Sequence, residues 1–114
     1  MAVFRIEKIP ERFRKKIMHD VEYLTGRNIP GLQQICLFGS VARGDYKWNS
    51  DIDLAIITRQ VITDHVLRGE ILDELDEEID GVSSDVVFRT LDTHSLSKTF
   101  DAAFERDKVV LWKV

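Results

Sequence analysis

The chain has 114 residues and a mass of 13.2 kDa, the size of one average domain, which leaves no room for separate cofactor and substrate domains. Hydrophobic residues make up 44% and charged residues 32% of it, as in soluble globular proteins, so long disorder is not expected. The net charge of −4 and the pI of 5.3 argue against direct nucleic-acid binding, which needs a basic face.

Features that would indicate membrane insertion, secretion or disulfide bonding are few in this sequence. No apolar run approaches the ~20 residues that span a bilayer, and the N-terminal segment has scattered charges and no apolar core of a secretory signal. The single cysteine, Cys36, excludes an internal disulfide framework and a thiolate zinc cluster. We therefore expect a cytoplasmic protein without a membrane segment.

The first half of the chain predicts one helix followed by two strands. Apolar residues recur at steps of three and four behind Pro10, as on one face of an amphipathic helix that ends near Thr25. The apolar run LQQICLFG at 32–39 predicts a short buried strand. After a polar, turn-like segment, DIDLAIIT at 51–58 predicts a second strand, which becomes apolar on both faces as a central strand does.

The second half of the chain predicts two more helices and two more strands. The helices are expected over 63–79 and 92–106, and the strands over 83–89 and 109–114. This alternation predicts an α/β fold, with one small domain over residues 1–114 built on a central mixed β-sheet flanked by helices. One sequence leaves the strand order open.

Three aspartates stand on predicted strands, where acidic residues are uncommon. Asp51 and Asp53 are two residues apart, so their side chains share one face of a strand. If the strand that carries Asp85 lies beside theirs, the three carboxylates converge at one end of the sheet. Their mutual repulsion then calls for a cation, and Mg²⁺ prefers such oxygen ligands. Exposed acids at a strand edge are the ordinary alternative for each Asp taken alone.

A glycine and a serine, Gly39 and Ser40, directly follow the first predicted strand. Glycine lets a backbone approach a phosphate closely, and free N–H groups at the start of a helical turn can bind its oxygens. Ser40 adds a hydroxyl donor. Beside a metal-binding strand, this pair suits a triphosphate, although Gly-Ser after a strand is common by itself.

The run GSVARGDYKWNSDID, in which ten residues separate Gly-Ser from Asp-x-Asp, resembles the minimal nucleotidyltransferases of the DNA polymerase β superfamily. With LFG before it and LAII after it, the chain looks more like the MNT-domain antitoxins that accompany HEPN-domain toxins. Asp85 stands where that family keeps its third carboxylate, and 42–44 match its Ala-Arg-Gly. Val41 and Trp48 depart from the family pattern, but neither is a presumed ligand.

The resemblance implies a nucleotidyltransferase fold and the transfer of AMP from ATP to a hydroxyl group. The catalytic and metal-binding residues would be Asp51, Asp53 and Asp85, holding two Mg²⁺ ions. The nucleotide-binding residues would be Gly39, Ser40 and Arg43. For Arg43, a contact with a phosphate and a structural role that ties the turn to the sheet remain equally open.

The resemblance also implies the acceptor, a tyrosine of a cognate HEPN toxin, which is an RNase and would form a hetero-oligomer with this chain. AMPylation would then silence the toxin. Two alternatives stay open: an antitoxin that neutralises its partner by contact alone, and a small-molecule nucleotidyltransferase whose acceptor site is built by a second subunit. A metal-dependent glycosyltransferase fits neither the length of the chain nor the Gly-Ser pair.

The remaining polar and aromatic residues predict ordinary roles. Tyr46 or Trp48 would stack on a base or, as exposed loop aromatics more often do, pack against the protein. The three histidines share no ligand spacing, so surface or capping roles are expected for His19, His65 and His94. Cys36 is expected in the core. The basic residues near the N-terminus and the acidic stretch of the second half predict solvated helix faces.

Overall fold

The computed structural model describes residues 8–91 and 98–114, in which helices and strands alternate. The helices α1 to α4 span Glu11–Gly26, Gly39–Arg43, His65–Asp76 and Lys98–Asp107. The strands β1 to β4 span Leu32–Phe38, Ile52–Thr58, Ser84–Thr90 and Val109–Lys113. Among these residues, no helix combines the length and the apolar character that crossing a membrane requires.

The four strands form one mixed sheet in the order β3-β2-β1-β4. The central strand β2 pairs antiparallel with β1 and parallel with β3, and β4 pairs antiparallel with β1. The predicted mixed sheet is therefore confirmed, and its order, which the sequence left open, is now defined. Because β1 runs opposite to β2 and β3, the end of β1 and the beginnings of β2 and β3 meet at the same edge.

The sheet is covered on both faces, as the apolar pattern of β2 predicted. One face contributes Leu54 and Ile56 to a core that also contains buried residues of α1 and α3, such as Ile17 and Ile71. The opposite face contributes Ala55 and Ile57, which lie in a second cluster with Cys36 and with Phe104 of α4. Alternation along β2 thus divides its residues between two layers of helices.

The predicted end of the helix before β3 differs from the structure. The helix expected over 63–79 ends at Asp76, because Asp80 and Gly81 adopt positive φ angles of 53° and 79° and a bridge joins Ile79 to Val82. Asp-Gly is a strong signal for such a tight turn, and it overrides the apolar period that reaches Ile79. The helix expected from residue 92 is described only from Lys98, so its predicted beginning lies outside the described residues.

The prediction that the basic residues of α1 are solvated is wrong for Lys16. Its side chain is fully buried, and its Nζ donates to Asp20 Oδ1 at 2.8 Å and to the carbonyl of Leu75 at 2.9 Å. The hydroxyl of Ser84 donates to the other carboxylate oxygen of Asp20. This buried ion pair therefore ties α1 to the end of α3 and to the first residue of β3.

Candidate active site

The edge of the sheet at which β2 and β3 begin carries all three predicted carboxylates. Asp53 lies directly between Phe38 of β1 and Asp85 of β3 in the strand register. Asp51 precedes β2 by one residue. Asp51 and Asp85 are exposed and Asp53 is half-buried, so none of them is turned into the core. The condition on which convergence depended, that the strand of Asp85 lies beside β2, is met.

The electrostatics of Asp53 reflect this crowding. The pKa of Asp53 is raised to about 6, chiefly by burial and in addition by the negative charges of Asp85 and Asp51, while Arg43 acts in the opposite direction. A carboxylate whose charged form is disfavoured by burial and by like charges is stabilised when a cation binds beside it. The electrostatics of this edge therefore favour the binding of a cation.

Gly39 lies against the carboxylate of Asp53. Its φ of +76° belongs to the left-handed region, and a Cβ built on it would lie 2.1 Å from Asp53 Oδ2 and 2.9 Å from Asp53 Cγ. A side chain at this position would have to displace Asp53. The glycine is therefore required by the turn and by the aspartate together, whereas its contact with a phosphate stays a prediction.

Ser40 lies in the first turn of α2, where backbone N–H groups have no carbonyl partner within the helix. Phe38 at the N-cap position carries no side-chain acceptor for them. The Ser40 hydroxyl lies 3.5 Å from that of Ser50, which in turn accepts from the backbone N–H of Lys47 at 2.7 Å. The residues at the turn thus present donors close to the strand that carries Asp53.

Arg43 is held by two carboxylates. Its Nε donates to Asp45 Oδ2 at 3.2 Å, and its Nη1 lies 3.6 Å from Asp107 Oδ2 at the end of α4. Hydrogen bonding to Asp45 raises the pKa of the guanidinium. These contacts favour the structural role for Arg43, since binding a phosphate would require it to exchange one of the two partners.

The donor set at this edge suits a hard divalent cation, because carboxylate oxygens are the ligands that Mg²⁺ prefers. Within residues 8–91 and 98–114, however, no three His, Cys, Asp or Glu side chains are already gathered closely enough to hold a metal ion. The fit therefore lies in the type of donor and in the shared edge. A bound ion would draw the carboxylates of Asp51, Asp53 and Asp85 together.

Two serines next to Asp85 belong to this region and were missed by the sequence interpretation. Ser83 donates to Asp51 Oδ1 at 3.3 Å, and the Ser84 hydroxyl donates to Asp20. Through these contacts the beginning of β3 is connected to Asp51 on one side and to α1 on the other. The sequence did contain a signal for the buried pair that Ser84 contacts, because Lys16 and Asp20 lie four residues apart on the apolar face of the predicted helix.

The two aromatic residues of the loop before β2 have different roles. Tyr46 packs edge-on against Phe13, with ring centroids 5.1 Å apart, so its role is packing. Trp48 is 74% exposed, with the guanidinium of Arg12 over its ring at 3.9 Å. Among the histidines, His65 is exposed at the beginning of α3, and His94 lies outside the described residues.

His19, by contrast, is not an ordinary surface residue. Its Nδ1 lies 2.9 Å from Asp20 Oδ1 and its Nε2 lies 3.0 Å from Glu74 Oε2. The ring therefore extends the buried pair of Lys16 and Asp20 towards the surface of α3.

The chain is similar in sequence and in fold to proteins of known activity. The chain is 42% identical over 53 residues to the protein adenylyltransferase MntA of Shewanella oneidensis, a match that covers 46% of this chain and 37% of that protein. The chain thus spans little more than a third of the length of this curated relative.

Solved structures of toxin–antitoxin complexes resemble the chain over most of its length. It is 31% identical to a toxin–antitoxin structure with AMP-PNP, with a TM-score of 0.58 over 88% of this chain and 73% of that chain. It is 26% identical to a structure of a tri-AMPylated Shewanella oneidensis HEPN toxin in complex with an MNT antitoxin, with a TM-score of 0.54 over 87% of this chain and 73% of that chain.

These similarities confirm the nucleotidyltransferase fold and the resemblance to MNT antitoxins that GSVARGDYKWNSDID predicted. The family model described as "Nucleotidyltransferase domain" matches residues 22–109, which include the Gly-Ser turn and all three aspartates. The chain therefore belongs to the nucleotidyltransferase domain family.

Proposed function

We propose that this protein is a Mg²⁺-dependent adenylyltransferase that moves AMP from ATP to a tyrosine hydroxyl of a HEPN-domain toxin and so acts as its antitoxin. The observation that carries the proposal is the edge at which Asp51, Asp53 and Asp85 begin two neighbouring strands, with Gly39 against Asp53. The adenylyltransferase activity of MntA and the AMPylated toxin in a similar structure support it.

The chain's own residues divide the reaction between them. Asp51, Asp53 and Asp85 would hold the ions, which when bound offset the charge of the triphosphate and make the acceptor hydroxyl easier to deprotonate. The amides of the Gly39–Ser40 turn and the Ser40 hydroxyl would donate to the β- and γ-phosphate oxygens. They would thereby stabilise the charge of the departing pyrophosphate.

Asp85 is suited to accept the proton of the acceptor. It is the exposed second residue of β3, and its neighbour in register is Asp53. As the bond between the acceptor oxygen and the α-phosphorus forms, the bond between that phosphorus and the β-phosphate oxygen breaks. The proton passes to Asp85 and then to water, while both electrons of the broken bond leave with pyrophosphate.

The test is AMP transfer to a HEPN-domain protein that is encoded beside this chain or co-purifies with it. Intact-mass spectrometry after incubation with ATP and Mg²⁺ should show added AMP with the wild-type chain and none with Asp53→Asn. Asp73→Asn, which changes an exposed acid on α3, is the matched control and should act as the wild type does.

A partner that stays unmodified but is still neutralised by the wild-type chain would overturn the proposal in favour of neutralisation by contact. Modification of a small molecule, with none on the protein partner, would instead favour the small-molecule enzyme. Full transfer by Asp53→Asn would show that AMP transfer does not depend on Asp53.

A further inference from the structure

A groove of about 670 Å³ opens beside Asp51, on the side of the candidate site that faces β3. The groove is lined by Asp51, by Arg12 at the beginning of α1 and by Trp48 in the loop before β2. Glu78 and Ser83, in the segment before β3, line its other part. The groove therefore joins a residue of the candidate metal site to the most exposed aromatic side chain near that edge.

The ring of Trp48 is held in a fixed position although it is exposed. The guanidinium of Arg12 lies 3.9 Å from the ring centroid, and Arg12 Nη1 donates to the carbonyl of Trp48 at 2.8 Å. Arg12 also lies over Phe13 of the core at 4.7 Å. An exposed ring that is already ordered loses little conformational entropy when a partner covers it. Tryptophan and arginine are also the residue types that most often dominate binding at protein interfaces.

The direction of the reaction indicates which substrate meets this groove. In phosphoryl-type displacements the attacking and leaving oxygens lie roughly in line with the phosphorus between them. The proposed pyrophosphate site, the Gly39–Ser40 turn, lies on the β1 side of Asp53, because Phe38 is the residue of β1 paired with Asp53. The acceptor must then approach from the opposite side, which is the β3 side, where Ser83 contacts Asp51.

The charges along the groove define the chemistry of the segment that fits. Arg12 and Lys47 line the groove with Trp48, as do the carboxylates of Asp51 and Glu78, and no carboxylate of the described residues forms an ion pair with either cation. A segment with an acidic residue next to an apolar or aromatic one would complement these cations and the ring.

We propose that this groove receives the acceptor segment of the partner protein, with an apolar or aromatic side chain on Trp48 and a carboxylate beside Arg12 and Lys47. The inference rests on the proposed function, because it takes the acceptor to be a protein. It adds the surface that selects that protein and gives Trp48 a role in acceptor specificity.

The first test uses tryptophan fluorescence, since the chain has two tryptophans. Trp112→Phe removes the one on β4 and leaves Trp48 as the only tryptophan of the chain. Emission from this variant should shift to shorter wavelength when the HEPN-domain partner is added and should stay unchanged when Mg²⁺ and AMP-PNP are added without the partner. Quenching by AMP-PNP alone would overturn the inference, because the groove would then hold the nucleobase.

The second test uses steady-state AMP transfer. Trp48→Ala should raise the KM for the partner by at least about tenfold, as loss of an interface anchor does, and leave the KM for ATP unchanged. Trp48→Phe keeps a ring and should recover most of the loss. Val66→Ala, which changes a side chain 72% exposed on α3, is the control and should change neither constant.

An unchanged partner KM, or a raised KM for ATP, in Trp48→Ala would overturn the inference while leaving AMP transfer by the wild-type chain intact. Absence of transfer by the wild-type chain would instead defeat the proposed function. In that case the fluorescence titration with the partner still decides whether the groove is a docking surface.

Discussion

Replacing Gly39 with alanine separates a requirement of the backbone from a requirement of the site. The added Cβ would lie 2.1 Å from Asp53 Oδ2, far inside any non-bonded contact. Gly39 is the first residue of α2 and directly follows β1, whereas Asp53 is a half-buried side chain at the edge, so we expect the carboxylate to move. Its oxygen would have to retreat by about 1.3 Å to reach the 3.4 Å of an ordinary contact.

The size of this displacement sets the expected losses. A shift of about 1 Å in a positioned catalytic group costs about 100-fold in rate, so AMP transfer should fall by that factor. Because the backbone at Gly39 is left-handed, any residue with a Cβ there should lower the free energy of unfolding by about 1–2 kcal/mol. Transfer is measured by mass spectrometry of the partner, and stability by urea unfolding followed by circular dichroism.

Gly44 offers the matched control. Its φ is +90°, and a Cβ built there would meet no atom within 4 Å. Gly44→Ala should therefore lose about 1–2 kcal/mol of stability for the same backbone reason and keep its activity. Equal rates of AMP transfer in the two variants would refute the argument that Gly39 leaves room for Asp53 at the site.

Three further predictions follow from buried or half-buried groups. In metal-free buffer, Asp53→Asn should raise the free energy of unfolding by about 1 kcal/mol near pH 7.5 and by almost nothing at about pH 3, where both folded and unfolded chains are largely protonated at this position. The folded-state pKa of about 6 exceeds that of the unfolded chain, so wild-type stability falls as pH rises through this window, and urea unfolding at both pH values measures the difference. Lys16→Met should cost about 3 kcal/mol by removing the lysine that neutralises the buried Asp20, and adding Asp20→Leu should recover part of it; an unchanged urea midpoint in the single variant would contradict the pairing. Burial raises the pKa of the Cys36 thiol to about 11, so Ellman's reagent should label Cys36 only in urea, and rapid labelling of the folded chain would contradict its burial.

Local patterns were sufficient to predict the strands that carry the site. The apolar runs around Cys36 and Leu54 are short and bounded by turn residues, and a period of two places Asp51 and Asp53 on one face. The position of Asp85 was conditional, because it depended on which strand lies next to β2. The helix α3 between two strands favours a parallel neighbour, and the structure has that arrangement.

Contacts between distant residues could not be predicted in the same way. The approach of Gly39 to Asp53 depends on the antiparallel register of β1 and β2, which are joined by a long connection that leaves the register open. The pairing of Lys16 with Asp20 was within reach, since two polar residues four apart lay on the apolar face of a predicted helix. Treating every charge on that helix as solvated concealed it.

The central claim is that Asp51, Asp53 and Asp85 form a cation site that acts together with the Gly39–Ser40 turn to hold a triphosphate. Isothermal titration of AMP-PNP into the wild-type chain and into Asp53→Asn, each with and without Mg²⁺, tests it without any partner protein. We expect AMP-PNP to bind the wild-type chain only when Mg²⁺ is present and this binding to be lost in Asp53→Asn. Equal affinity with and without Mg²⁺, or equal affinity in the two proteins, would contradict it.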